Sequence, residues 1–385
     1  MQHDSLPNGR KVIWLGRKEL QIAIAEGGGH IAALRLPGLN ESANPYWQPP
    51  WPSLEPSAVT QTILDQEYGG APEGRLLASI LGHSLALDSY GPPSKKEAAA
   101  GAVTHGQVGV RQWTWTPYDS DGLLGECHDT LAQLWFSRRL QVTGHCVVIE
   151  ENLQNLCAWD RPVGWQQHVS FGPPFCEDGF WALANCDVGT THPQSFGAGA
   201  SLVPGSETHW PLAPRKDGSV CDYRHPLADE ARANDFSGYR VRRSDPLGGF
   251  VAGNRHLGFA LCYLWPQHFF PWMGIWDEKH AREAKPWNER VSVRAYEFGV
   301  SPYPDTRQGL LRRPLLFDLP TYLILPGNGA LWVRYAMCVF PGVVEPGELS
   351  FSAGATSLTS GGREIGRVNM PKTCDSSIRE DMSNA

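Results

Sequence analysis

The chain has 385 residues, 41% of them hydrophobic and only 19% charged, with a formal charge of −7. The acidic balance argues against a nucleic-acid partner, whose phosphates demand a basic footprint, and the sparse charge leaves little for long solvated helices. The nine cysteines form no Cys-x-x-Cys pair and have no His-spaced partners, so no metal site is expected, and reduced thiols fit better than a disulfide framework.

From Met1 to Lys11 there is no apolar signal-peptide core, and no later stretch has the length of a membrane span. A soluble cytoplasmic chain is expected, with no membrane partner, as monomer or homodimer. Glycine (41) and proline (31) punctuate the sequence throughout, which is how an all-β chain with many turns reads. Period-two alternation predicts strands over Val12–Leu15, Leu20–Ala25, Ile31–Leu36, Arg111–Thr116, Cys146–Asn152, Gly164–Phe171, Phe259–Leu264, Val291–Phe298 and Leu331–Val339. Helical signals are confined to Pro56–Gln66 and a turn or two over Asp229–Asp235. With no repeat and no linker, residues 1–370 read as a single domain, and 371–385 as a polar tail that frays.

Three chemical groups stand far apart in this pattern. His105 precedes the glycine-rich Gly106-Gln107-Val108-Gly109, where backbone can approach a ligand closely. His168 shares a strand face with Gln166 and Ser170, opposite Trp165, Val169 and Phe171. Glu297 shares its face with Val291, Val293 and Ala295, so its carboxyl is expected to be desolvated and raised in pKa toward the range useful for proton transfer. Each also has a structural reading. Glu297 could pair with Arg294 or Arg290, His168 could be a hydrogen-bonded core histidine, and His105 a surface residue in a turn.

Between Trp265 and Trp287 lie Phe269, Phe270, Trp272 and Trp276, interleaved with Pro271, Gly274 and Pro286. Prolines inside a strand interrupt its ladder, so this segment reads as a loop wall of aromatic faces, or as satellite packing beneath a long loop. The segment Asn44 to Trp51 admits both readings too. Gly82-His83-Ser84-Leu85-Ala86 lacks the closing glycine of a nucleophile elbow, and there is neither a phosphate loop nor a His-Glu-x-x-His.

In their order, these motifs resemble the aldose 1-epimerase, or galactose mutarotase-like, superfamily. The likeness runs from Glu26-Gly27-Gly28-Gly29-His30 and Asn44-Pro45 through His105-Gly106 and Gln167-His168-Val169-Ser170-Phe171-Gly172. It continues through Thr208-His209-Trp210-Pro211 and Pro286-Trp287-Asn288 to Tyr296-Glu297-Phe298-Gly299. The resemblance implies an all-β fold, a large antiparallel β-sandwich of the supersandwich type with a cleft on a concave face. It implies an isomerase that interconverts the α and β anomers of an aldose, a small-molecule sugar substrate, and no cofactor. Glu297 and His168 would be base and acid, and His105 would bind oxygens at the reacting centre. Arg75, after Glu73-Gly74, stands near the place of the family's Asn-Arg pair, which is not itself reproduced. Arg75, Arg111, Trp272, Trp276 and Trp287 are the expected substrate contacts. A sugar sensor without catalysis, or an enzyme acting on a modified or phosphorylated sugar, would use the same fold.

Overall fold

The computed structural model describes residues 2–379 apart from 41–42, 71, 196, 198, 230, 344–347, 353–354, 361–362 and 370–375. Short alternating segments pair into two large antiparallel sheets, one of twelve strands and one of nine. The larger begins with Gln2–Ser5 and the meander Lys11–Arg17, Leu20–Ala25, Ile31–Arg35 and His83–Asp88, then runs through Arg161–Phe171, Ser292–Gly299, Trp272–Lys279 and Ala233–Val241. The smaller contains Leu134–Thr143, Cys146–Asn155, Ala330–Pro341, Phe259–Pro266 and Leu247–Asn254. Alternation decides what each face buries. Val169, Phe171, Tyr296 and Phe298 of the first sheet meet Phe136, Ile149, Tyr263 and Tyr335 of the second in one core. This is the sandwich expected from the sequence.

The helices are short. Gln61–Glu67, capped by the Thr60 hydroxyl, overlaps the expected Pro56–Gln66 segment and runs one residue past it, and Pro72–Leu77 follows it. Two expectations fail. The aromatic stretch is not one loop, because Trp272–Lys279 is an inner strand paired on both sides, with Pro271 and Pro286 outside it, while Phe269, Phe270 and Trp287 lie in the connections that flank it. Nor is Asp229–Asp235 helical, since its end enters the inner strand Ala233–Val241. Within the expected tail, Ser376–Arg379 pairs as a strand with Ala330–Val333, while the neighbouring positions lie outside the described residues. No helix among those residues is long and apolar enough to cross a membrane. Cys374 also lies outside them, and none of the eight cysteines that are described is in a disulfide.

Candidate active site

Strand register builds the centre. His168 lies directly opposite Glu297 on one side and Ser84 on the other, and Glu297 lies opposite Gly274, which faces Gly238. Residues opposite one another in a ladder share a face, so these five form a row across the side of the larger sheet that points away from the second sheet. Gly274 is required there. A Cβ at this position would come within 2.4 Å of Phe236 Cζ, so glycine lets the Phe236 ring lie beside the row as a wall.

At the centre, His168 Nε2 is 3.1 Å from Glu297 Oε1. The second carboxyl oxygen, Oε2, accepts a hydrogen bond of 2.5 Å from the Tyr90 hydroxyl, and His168 Nδ1 is 3.0 Å from Ser170 Oγ. Glu297 and His168 are 1% and 4% exposed. Burial pushes Glu297 up to about 8, against a smaller opposing pull from the Tyr90 hydrogen bond. Burial, aided by the neighbouring His105, holds His168 well below its ordinary value. Near neutral pH the pair therefore holds one proton between its two members, resting on the carboxyl. Arg294, the structural alternative for Glu297, points to the opposite face and binds Asp277 at 2.7 Å.

His105 arrives from a loop. Its ring centroid is 5.4 Å from that of His168 and 5.9 Å from that of Tyr90. The loop is fixed to the strand His83–Asp88 by the Leu87 N–H, which donates to the His105 carbonyl at 3.0 Å. At Gly106, φ is +74°, and a Cβ would stand 1.9 Å from the Leu87 carbonyl oxygen, so only glycine can follow His105 here. His105 Nδ1 is buried without a partner, and burial lowers this imidazole to about 4, leaving a neutral ring beside the acid–base pair.

These groups line one cavity of about 490 Å³ together with Phe236, Trp276, Trp287 and the helix residues Glu73, Leu76 and Leu77. Trp276 meets His168 edge-on, with ring centroids 5.6 Å apart. Trp287 is held from behind by Trp47, stacked at 6.3 Å, and by Trp51, edge-on at 5.1 Å. The early aromatic segment thus supports the wall rather than forming it.

Of the eight residues expected at the site, His105, His168, Glu297, Trp276 and Trp287 converge on the cavity, and Trp272, Arg75 and Arg111 do not. Trp272 is fully buried, its indole N–H donating to the Pro320 carbonyl at 2.8 Å and its ring beside Phe317. Arg75 sits on the helix Pro72–Leu77, but Pro72, Glu73, Leu76 and Leu77 are the residues of that helix that line the cavity. Arg111 is 3.9 Å from Asp129, and its carbonyl accepts from the Gly28 N–H. Two residues were not anticipated. Tyr90 follows the strand His83–Asp88 in a turn with no pattern to mark it. Arg282 lies over Trp287 at 4.5 Å and pairs with Glu73 at 2.8 Å; its only signal is its place in the aromatic segment. Among the described residues no cluster suited to a metal ion occurs.

No family model matches the chain, and no curated protein does. Solved structures do. A candidate aldose 1-epimerase from Klebsiella pneumoniae superposes with a TM-score of 0.59 at 13% identity, covering 87% of this chain and 80% of its own. A galactose mutarotase related enzyme from Lactobacillus acidophilus gives 0.57 at 11% identity, over 86% and 98%. A galactose mutarotase-like protein from Clostridium acetobutylicum gives 0.53 at 12%, over 88% and 97%. At such identities the likeness is one of architecture, and this chain has the galactose mutarotase-like fold.

Proposed function

We propose that the protein is an aldose 1-epimerase-like isomerase, with the His168–Glu297 pair as its acid–base unit. The observation that carries this reading is the 3.1 Å contact between the two groups at the wall of a sugar-sized cavity. Anomer exchange needs one proton delivered to the ring oxygen and one removed from the C1 hydroxyl. The ring then opens, the C1–C2 bond turns, and closure on the other aldehyde face reverses both transfers. A pair holding a single proton supplies an acid and a base at once, without net charge in a desolvated site.

With the proton on Glu297, the carboxyl is the acid and the imidazole the base. With it moved across to Nε2, Glu297 is the base and His168 the acid, the roles the sequence resemblance implies. The Tyr90 hydrogen bond favours this second arrangement, because it stabilises the ionised carboxylate. His105, which lines the cavity, would bind a sugar oxygen at the reacting centre, and Trp276 would offer an aromatic face. No redox change occurs, so none of these steps calls for a cofactor.

The test is polarimetry or NMR exchange on freshly dissolved aldoses. Glu297→Gln should slow the catalysed exchange by about 10²–10⁴-fold while sugar binding persists. Undiminished exchange in that variant would remove Glu297 from the mechanism. Saturable binding without acceleration in the natural protein would make it a sugar sensor.

A further inference from the structure

A second hollow adjoins the catalytic cavity. It too measures about 490 Å³, and the two share Glu73, Leu77, Arg282 and Trp287 as a common wall. At the partition, the Arg282 guanidinium lies on the Trp287 ring at 4.5 Å and is tied to Glu73 at 2.8 Å. Arg282 also reaches the Asn234 side-chain oxygen at 3.3 Å, so one network of planar polar groups runs from one hollow into the other.

The two hollows differ in chemistry. Beyond Tyr90, His105, His168, Glu297 and the shared Glu73 and Arg282, the catalytic cavity adds Lys95 and Thr104 as polar side chains and is otherwise walled by Leu76, Leu77, Ile80, Phe236, Trp276, Trp287, prolines and small residues. Such a wall can stack on a ring but leaves few partners for its hydroxyls. Across the partition the second hollow presents Tyr68, Asn234, Glu283 and Lys285. Glu283 is exposed. Amide, carboxylate and cationic groups beside an aromatic ring are what a pyranose rich in hydroxyls requires.

We infer that the site takes the reducing end of an oligosaccharide. The terminal ring lies at His168 and Glu297, and the next ring crosses the Arg282–Glu73 partition into the second hollow, where its hydroxyls are bound. This rests on the aldose reading above and adds a subsite to it. Binding energy gathered on a ring remote from the reacting carbon can be used to orient the ring that reacts.

The experiment compares NMR exchange rates for glucose with those for maltose, cellobiose and lactose, and for galactose with those for β-1,4-galactobiose. At least one disaccharide should show a kcat/KM roughly tenfold or more above its reducing-end monosaccharide. Ala284→Trp places an indole in the second hollow alone, from an exposed position, and should bring that disaccharide down to the monosaccharide value. Equal rates for monosaccharides and disaccharides across the panel would overturn the inference. So would an Ala284→Trp variant that slows both sugars alike while melting at the natural temperature. Should no sugar be turned over, the acid–base reading fails by itself, and tryptophan fluorescence titration decides the subsite. Tighter binding of a disaccharide than of its monosaccharide upholds the subsite, and equal or absent binding ends it.

Discussion

In the proposed mechanism Glu297 needs a neighbour that keeps its ionised form within reach, and Tyr90 is the group beside it that would do so. Its hydroxyl is buried, donates to Oε2 at 2.5 Å, and opposes the burial that pushes the carboxyl up to about 8. Tyr90→Phe removes the donor and keeps the ring. The carboxyl then climbs further, so the alkaline limb of the pH–rate profile, where the pair loses its one proton, should move to higher pH, with a rate at the plateau roughly tenfold lower. A lower plateau with an unmoved limb would make Tyr90 mere packing. At this scale the sequence is partly legible. Period-two alternation placed His168 and Glu297 on the correct faces, and the small apolar company of Glu297 announced its raised pKa. Tyr90 belongs to no periodic segment, so nothing in the chain pointed to it. Trp272 and Trp276 lie on one face of one strand, yet only Trp276 reaches the cavity. The residues that cover Trp272, Phe317 and Pro320, come from far along the chain.

The site depends on strands whose local sequence argues against them. Ala233–Val241 begins Ala-Asn-Asp-Phe-Ser-Gly, residues of mostly poor strand propensity. It is held by pairing on both sides and by Asp235, whose carboxylate accepts from the Ser201 and Leu202 N–H groups at 2.8 and 3.1 Å. Tertiary pairing overrides propensity here, and that is why composition alone suggested a helical turn. Trp272–Lys279 was obscured differently, because its flanking prolines resemble interruptions until pairing shows where the strand starts and stops. Gly274 carries a prediction at this scale. Gly274→Ala would set a methyl 2.4 Å from Phe236 Cζ, and that ring is already packed against Tyr90 at 6.3 Å. The ring must shift against its neighbours, at a cost of about 1–3 kcal/mol. Urea denaturation should show this loss together with a raised KM for sugar, since the displaced wall lines the cavity. Unchanged stability and KM would mean the ring moves freely and has no part in shaping the site.

At the scale of the molecule, two of the places where charge and polarity are buried do different things. Between the sheets, Arg138 and Glu151 are fully buried and 2.6 Å apart. Their remaining hydrogen-bonding capacity goes to the Gly29 carbonyl, Gln167, Trp165 and Tyr335. Such a network is satisfied and ties the sheets together just behind His168. None of its pairings could be read along the chain, because they exist only once the sheets are stacked. At the cavity, by contrast, no Lys or Arg among the described residues pairs with the buried Glu297, and its burial costs stability in a pH-dependent way. Unfolded, its carboxyl loses its proton near the ordinary 4.5, whereas in the fold it keeps it to about 8. Between those values the unfolded chain holds fewer protons than the native one, so raising the pH favours unfolding, and above about 8 the penalty is level. Glu297→Gln cannot ionise and escapes the penalty while still filling the space. Natural protein and variant should therefore unfold alike near pH 5. Their difference should then widen toward pH 8 in favour of the variant, by at most ~1.4 kcal/mol per pH unit. Denaturant titrations at pH 5, 6.5 and 8 measure this directly. A variant that gains nothing as pH rises would show that Glu297 ionises as freely in the fold as outside it, and the acid–base pair would lose its one-proton resting state. A variant that gains stability while losing turnover would show the protein giving up stability to keep a titratable carboxyl in a dry cavity.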